Sequence, residues 1–191
     1  MTTRIATIEK PSNPLMRLLF TIVRWHFGKV LGPLKVIYAR KPALLLIARR
    51  MVKQANALSL PPALRALIQV QASRLNGCRF CEDVALAAAY QTTIGRERFA
   101  RIADYRSSLL FTERERAALA FGEEATRHCK VSEETWALVK QHFSDLEIVE
   151  LAWLNACENY FNLQAAVLEI QSDGLADMRV PQAAHRSKAE A

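Results

Sequence analysis

Two cysteines, Cys78 and Cys81, are separated by two residues and directly follow the dipeptide Asn76-Gly77. Asn-Gly is a strong turn signal, so a helix that restarts after it would hold both cysteines in its first turn. Unpaired backbone N–H groups there stabilise a thiolate, and a CxxC pair commonly has one thiol pKa below the free value of roughly 8.5. The spacing therefore indicates a dithiol that forms and breaks a disulfide reversibly. The alternative is a pair of buried, inert cysteines in an apolar helix.

Two acidic residues stand beside this pair. Glu82 lies four residues after Cys78 and would share its helix face, whereas Asp83 follows Cys81 by two residues and would lie to the side. Either carboxylate could act as a base toward a thiol. Alternatively, both could simply solvate the first helical turn and favour its dipole.

The remaining cysteines and histidines have no metal-binding spacing. Cys129 and Cys157 are expected to be core residues, and the four histidines to be structural or solvated. His26 is the exception to watch, because an arm folded over the CxxC pair could bring an imidazole to the thiols. A zinc site would need Cys129 and Cys157 to converge on the pair from separate helices, so no metal is expected.

Positive charge is concentrated at the start of the chain. The whole chain has a net charge of +7. Residues 1–58 contain eleven Lys or Arg and a single acid, Glu9, so the rest of the chain has a net charge of −3. We expect this basic, apolar arm to pack on the body or on a partner subunit with its charges outward. Binding of the arm to an anionic membrane or to nucleic acid is the alternative.

Composition and terminal pattern limit the class of protein. The chain has 191 residues, of which 51% are hydrophobic, so it can bury one well-formed core. Charges interrupt the apolar runs too often for a membrane span. Four unevenly spaced cysteines do not suit a secreted disulfide scaffold, and no signal-peptide pattern opens the chain. We therefore expect a cytoplasmic protein.

Apolar residues recur at helical spacing along nearly the whole chain, which predicts an all-α protein. The Pro61-Pro62 pair marks the start of a helix that runs to about Leu75. Other helix starts are predicted at Thr92 or Thr93, at Ser132, and at two capping boxes, Thr112 with Glu115 and Ser144 with Glu147. The last helix is expected to run to about Gln171, with Gly174 as its stop. The predicted organisation is a basic helical arm (1–58) of about three short helices, a helical core with the CxxC pair (59–176), and a disordered tail (177–191).

The stretch 65–81, which ends in Cys-Arg-Phe-Cys, resembles the core of the carboxymuconolactone decarboxylase superfamily, specifically its alkylhydroperoxidase D (AhpD) branch. The likeness covers roughly 60–174 and extends more loosely over the arm. The later segments that carry it are 111–120 and 143–151, followed by Asn159 and Asn162.

This resemblance implies an all-α AhpD-like subunit that assembles into dimers, trimers or hexamers and reduces peroxides or exchanges disulfides. By similarity, Cys81 attacks the peroxide and Cys78 resolves the sulfenic acid as a disulfide, which an external dithiol protein then reduces. This chemistry requires no metal or organic cofactor. The alternative is a non-catalytic member whose CxxC pair senses oxidation or stabilises the structure.

Three positions depart from the peroxidase branch. That branch has a glutamate twelve residues before the first cysteine, a histidine or tyrosine between the two, and a histidine four residues after the second. Here these positions hold Ala66, Phe80 and Ala85, so the proton relay of the branch is missing. Similarity to members that read Cys-x-Phe-Cys-x-Asp makes Asp83 the preferred substitute base, with Glu82 as the other candidate.

Overall fold

The computed structural model describes residues 3–90 and 94–178. Over these residues the chain is helical and contains no strand, which confirms the all-α prediction. The α-helices are α1 (Pro14–Phe27), α2 (Pro42–Asn56), α3 (Pro62–Leu75), α4 (Arg79–Ala89), α5 (Arg96–Ala100), α6 (Glu113–His128), α7 (Glu133–His142) and α8 (Asp145–Val167). A π-helical turn (Leu34–Tyr38) separates α1 from α2, and a 3-10 turn (Ile102–Asp104) follows α5.

Side-chain caps begin the later helices where the sequence predicts them. The Thr112 hydroxyl accepts from the Glu115 N–H, and the Glu115 carboxylate accepts from the Thr112 N–H, so both halves of the capping box are present. Ser144 and Glu147 make the same reciprocal pair at the start of α8. Ser132 caps α7 through the Thr135 N–H. Each such cap contributes about 1 kcal/mol to the stability of its helix.

The end of α8 differs from the prediction. The helix stops at Val167 rather than near Gln171, because Glu169 takes a left-handed conformation with φ 53°. The Ile170 N–H then donates to the Ala165 carbonyl, and the Ile170 side chain turns back into the core with 4% of its surface exposed. A hydrophobic contact of this kind commonly closes a helix C-terminus, so Gly174 lies beyond the helix.

Two further expectations fall partly or wholly on undescribed residues. The predicted caps Thr92 and Thr93 lie outside the described residues, and the helix that follows them begins at Arg96 with Gly95 as its N-cap. The predicted disordered tail lies outside them from residue 179 onward. The domain boundaries stay predictions.

Helix α3 lies at the centre of the body, where it packs against α4, α6 and α8. Its residues Leu67 and Val70 have no exposed surface, and burying each contributes about 1.5–3 kcal/mol relative to leaving it in water. The arm helices and the π-helical turn form a separate apolar cluster with the start of α4 and the end of α8. None of the helices in the described ranges has the combination of length and apolar character that crossing a bilayer requires.

Candidate thiol-disulfide site

Cys78 and Cys81 form a disulfide at the N-terminus of α4, with their Cα atoms 5.3 Å apart. Cys78 is the N-cap residue, and its Sγ accepts a hydrogen bond from the Cys81 N–H over 3.2 Å. Gly77 has φ 64°, which favours glycine, and it reverses the chain between α3 and α4. The Cys78 N–H then donates to the Ser73 carbonyl over 2.9 Å. The predicted position in the first helical turn therefore holds for Cys81, while Cys78 lies just before that turn.

The arm covers the disulfide. Cys78 is 2% exposed and Cys81 is 6% exposed, and both belong to the apolar cluster of the arm. Met16 and Phe20 of α1 are buried in this cluster. The other buried members include Val36 and Tyr38 of the π-helical turn, Ala165 of α8, and Ile170, which follows α8. The sulfur atoms therefore lie in an apolar environment rather than in open solvent.

Asp83 ties the segment after α8 to α4. Its carboxylate is 6% exposed and accepts from the Ser172 hydroxyl and from the N–H groups of Leu175 and Ala176, at 2.7–2.9 Å. Burial acts to raise the pKa of Asp83, but these hydrogen bonds outweigh it and hold the pKa below its ordinary value. A carboxylate that is stabilised in this way is a weak base, and both its oxygens are already engaged.

Glu82, the other candidate base, pairs with Arg74. The Arg74 Nε donates to Glu82 Oε1 over 2.7 Å, and both side chains are about one-third exposed. Arg74 also donates to the Phe99 carbonyl. This ion pair ties the end of α3 to the start of α4, so it positions the turn that carries the cysteines.

The relay positions of the peroxidase branch contain no polar side chain here. Ala66 and Ala85 are buried together in an apolar cluster on the other side of α3, and Phe80 packs against the arm cluster. His26 is exposed, and its ring lies edge-on to Phe27 with the ring centroids 4.6 Å apart.

The two remaining cysteines are free. Cys157 is buried, and burial together with the adjacent Glu158 raises its pKa to about 11. Cys129 is exposed at the C-terminus of α6 and is not the core residue that the sequence predicts, because it takes the left-handed conformation that ends the helix there. Among the residues that the structure describes, no three side chains of the metal-binding types come together as a metal site would require.

One buried acid near the dithiol escaped the sequence analysis. Glu158 of α8 is 8% exposed, and its carboxyl contacts Ser73 on the last turn of α3. It lies on the same face of α8 as the buried residues Leu151, Leu154, Asn162 and Ala165. An acidic residue at a core position of a largely apolar helix face is the signal that could have identified it.

Comparison with known proteins gives a family match over part of the chain and a similar protein over most of it. The model of the carboxymuconolactone decarboxylase family matches residues 43–124. The uncharacterized protein YnjA of Escherichia coli (strain K12) is 26% identical over 162 residues, which span 83% of this chain and 87% of YnjA. The family match includes the stretch 65–81 on which the resemblance seen in the sequence rests.

Two solved structures have the same fold over nearly their whole length. A peroxidase-related protein from Ralstonia eutropha JMP134 with an alkylhydroperoxidase AhpD core superposes with a TM-score of 0.76, at 19% identity, and covers 94% of this chain and 97% of that one. A variant of the debrominase Bmp8 in complex with 2,3,4-tribromopyrrole superposes with a TM-score of 0.75, at 20% identity, over 93% of this chain and 95% of that one. The fold is therefore AhpD-like.

Proposed function

We propose that this chain, a member of the carboxymuconolactone decarboxylase superfamily with the AhpD-like fold, is a thiol-disulfide redox protein that reduces peroxides or exchanges disulfides through Cys81 and Cys78. The observation that carries the proposal is the Cys78–Cys81 bond at the N-terminus of α4, where the Cys81 N–H points at Cys78 Sγ. An N–H group in this position stabilises negative charge on the sulfur that accepts from it.

The same geometry supports different roles for the two sulfurs. Cys81 is the more exposed of the two, so an incoming dithiol attacks Cys81 Sγ. Cys78 then leaves as a thiolate that the Cys81 N–H stabilises, and a stabilised thiolate leaves faster. In the oxidative direction we assign the attack to Cys81 and the resolution to Cys78, the roles that the family resemblance implies.

The reaction balances without a metal or an organic cofactor. The Cys81 thiolate attacks one oxygen of ROOH, the O–O bond breaks, and the products are Cys81–SOH and an alkoxide that takes up a proton to become ROH. The Cys78 thiol then condenses with the sulfenic acid, which forms the disulfide and releases water. An external dithiol reduces the disulfide and is itself oxidised to a disulfide.

The surroundings of the sulfurs favour an apolar substrate. The arm residues over the disulfide are apolar, and Met16 and Phe20 of α1 are buried there. An organic hydroperoxide loses less hydration free energy than hydrogen peroxide when it enters such a site. We therefore expect an organic hydroperoxide to react faster than hydrogen peroxide.

A second candidate is a redox-sensing or structural disulfide without turnover. The burial of both sulfurs and the apolar residues Ala66, Phe80 and Ala85 at the relay positions favour this alternative. If the protein is catalytic, reductive debromination is a further reaction to test, because the debrominase Bmp8 has the same fold. In that reaction the two thiols are oxidised to the disulfide, one of their protons ends on the carbon that loses bromine, and bromide is released together with the other proton.

Stopped-flow oxidation of the reduced protein separates these candidates. The reduced wild type is mixed with hydrogen peroxide, with cumene hydroperoxide and, in a separate assay, with 2,3,4-tribromopyrrole, and thiol loss is followed alongside Cys81→Ser and Cys78→Ser. We expect Cys81→Ser to lose the fast reaction and Cys78→Ser to accumulate a trapped sulfenic acid at Cys81.

The matched control is Cys129→Ser, which removes an exposed thiol outside the pair and should leave the fast reaction unchanged. If the wild type reacts with every oxidant no faster than free cysteine, the catalytic proposal is wrong and the sensing or structural role takes its place.

A further inference from the structure

The structure encloses the disulfide that must react in the proposed function. Exchange begins when an external thiolate reaches one of the two sulfurs, but Cys78 is 2% exposed and Cys81 is 6% exposed, and the arm cluster surrounds both. Part of this cluster must therefore move before a dithiol can contact Cys81 Sγ. The contacts of the arm indicate which part moves.

The polar contacts of the first part of the arm converge on one short segment after α8, residues 168–176, which we call the strap. Across the described part of the chain, the hydrogen bonds and ion pairs that residues 3–41 make outside the arm all involve the strap. The Arg4 N–H donates to the Leu168 carbonyl over 3.1 Å, and the Arg4 side chain pairs with Glu169 over 2.9 Å. The arm is thus anchored by polar contacts at the strap.

Gly32 meets the strap at close range. Its N–H donates to Asp173 Oδ2 over 2.8 Å. Lys29 donates to the Asp173 carbonyl, and its Nζ lies 4.0 Å from Asp173 Oδ1. A Cβ at position 32 would lie 2.8 Å from Ile170 Cγ2, so only a glycine permits this approach without a shift. The Asp173 carboxylate and the missing side chain at position 32 therefore both hold the arm against the strap.

The strap is bound on its other side to the helix that carries Cys81. Asp83, two residues after Cys81, accepts three hydrogen bonds from the strap at 2.7–2.9 Å. Ile170 of the strap is buried in the arm cluster, which also contains both cysteines. The strap is therefore a bridge: the contacts of Asp83 keep it on α4, and the contacts of Asp173 hold the arm to it.

We propose that the contact of Gly32 and Lys29 with Asp173 is a latch that keeps the arm closed over the disulfide, and that an external dithiol reaches Cys81 when this latch opens. The inference rests on the proposed function and adds the step that precedes exchange. Opening is local, because Asp83 still holds the strap on α4 while the arm moves. The latch residues do not touch the reacting atoms, so they are positioning residues.

The test is the rate at which dithiothreitol reduces the oxidised full-length protein, without any peroxide. One dithiothreitol thiolate attacks a sulfur and displaces the other as a thiolate, and the second thiol of dithiothreitol then closes its ring disulfide and frees the protein dithiol. Asp173→Ala removes the acceptor of the Gly32 N–H and the carboxylate near Lys29, so reduction should be about three- to tenfold faster. Gly32→Ala should also accelerate it, because the added methyl group displaces Ile170.

Each variant has a matched control. Asp177→Ala removes an exposed aspartate four residues further along the chain. Gly95→Ala adds a methyl group that, among the described residues, has no atom within 4 Å beyond its own chain neighbours. Both controls should be reduced at the wild-type rate. Wild-type rates for Asp173→Ala and Gly32→Ala as well would overturn the proposal.

Cys157 distinguishes opening of the latch from unfolding of the whole chain. It is buried on α8 and does not belong to the arm cluster. Iodoacetamide labelling of Cys157 in the oxidised latch variants, followed by mass spectrometry, should therefore be as slow as in the wild type. If labelling of Cys157 and reduction of the disulfide accelerate in parallel, the substitutions destabilise the whole fold and the latch is contradicted.

A second measurement uses the wild type alone, so it does not depend on the folding of a variant. Dithiothreitol should reduce the native protein more than about tenfold more slowly than the chain unfolded in urea at the same pH, because only the open fraction reacts. Equal rates would contradict the latch. A native protein that is reduced slowly, is accelerated by both latch variants and yet consumes no hydroperoxide would support the latch and count against the proposed function.

Discussion

Asp83 and Glu158 are two buried carboxyls on the helices that position the dithiol, and their partners decide their charge. Asp83 accepts from two backbone N–H groups and a hydroxyl, whereas Glu158 accepts from side chains that bear no charge. The sequence motif points to Asp83 as a base, but its hydrogen bonds favour a structural role. Burial raises the pKa of Glu158, whose carboxyl accepts from Ser73 and Asn162.

Asp83→Asn should destabilise the fold at neutral pH by about 1.5–3 kcal/mol, the usual contribution of hydrogen bonds to a charged group. The folded pKa of Asp83 is lowered, so its contribution is fully present above the unfolded pKa of about 3.9 and is lost as pH falls through the folded value. Urea unfolding of the wild type and the variant at pH 7 and at about pH 2.5 should therefore show a gap that narrows in acid.

Glu82→Gln is the control for that experiment, because it removes a partly exposed acid of the same helical turn that pairs with Arg74. It should cost about 0–1 kcal/mol. An Asp83→Asn variant as stable as the wild type at pH 7 would show that the hydrogen bonds to the 172–176 segment do not hold the fold.

The free thiols should differ in reactivity. In the oxidised, folded protein, iodoacetamide at pH 8 should modify the exposed Cys129 and leave Cys157 unmodified, because Cys157 is buried and its pKa is raised to about 11. Mass spectrometry of digested protein gives the labelled site, and Cys129→Ser should abolish labelling. Labelling of Cys157 in the folded protein would contradict its burial.

Among residues, the sequence can identify those whose role depends on local spacing. Cys78 and Cys81 are recognisable because a disulfide at the start of a helix needs only neighbours in the chain. Glu158 is not, because its buried position is defined by contacts such as the one with Ser73, which is 85 residues away in sequence. The only trace of such long-range packing in the sequence is indirect: an acidic residue lies on the largely apolar face of a helix.

At the scale of elements, helix starts were predictable and their packing partners were not. The capping boxes at Thr112 and Ser144 are formed by residues three positions apart, and both occur as predicted. The position of α1 over the disulfide depends on contacts between α1, α4 and the end of α8. No local pattern encodes that arrangement, because each helix shows only that it has an apolar face.

Phe20→Ala should increase access to the disulfide. Phe20 is 3% exposed in the cluster that encloses both cysteines, and removing its ring costs about 3–5 kcal/mol of packing. We expect that loss to loosen the packing of α1 over the disulfide, so dithiothreitol should reduce the disulfide faster. The rate at which free thiols appear measures the rate of this reduction.

Trp25→Ala on the same helix is the matched control, because Trp25 is 86% exposed. Its reduction rate should equal that of the wild type. Equal rates for all three proteins would show that α1 does not limit access to the sulfurs.

At the scale of the whole molecule, the distribution of charge and the exposed apolar surface bear on whether several copies of the chain assemble. The arm carries the excess of positive charge, with eleven Lys or Arg against one acid, and α1 exposes Leu15, Leu18 and Ile22 together with Trp25. The family resemblance implies a dimer, trimer or hexamer, and this stays a prediction. Sedimentation equilibrium should give a mass that is a multiple of 21.5 kDa, and a mass of one chain at micromolar concentration would contradict it.

The proposed function depends above all on turnover by the Cys78–Cys81 pair. The most direct measurement is the consumption of cumene hydroperoxide by a catalytic amount of the full-length protein with dithiothreitol as the reductant. We predict that each chain consumes many equivalents of hydroperoxide, and that a double variant, Cys78→Ser with Cys81→Ser, consumes it no faster than dithiothreitol alone. Consumption of the hydroperoxide by the wild type at that same uncatalysed rate would contradict the proposed function.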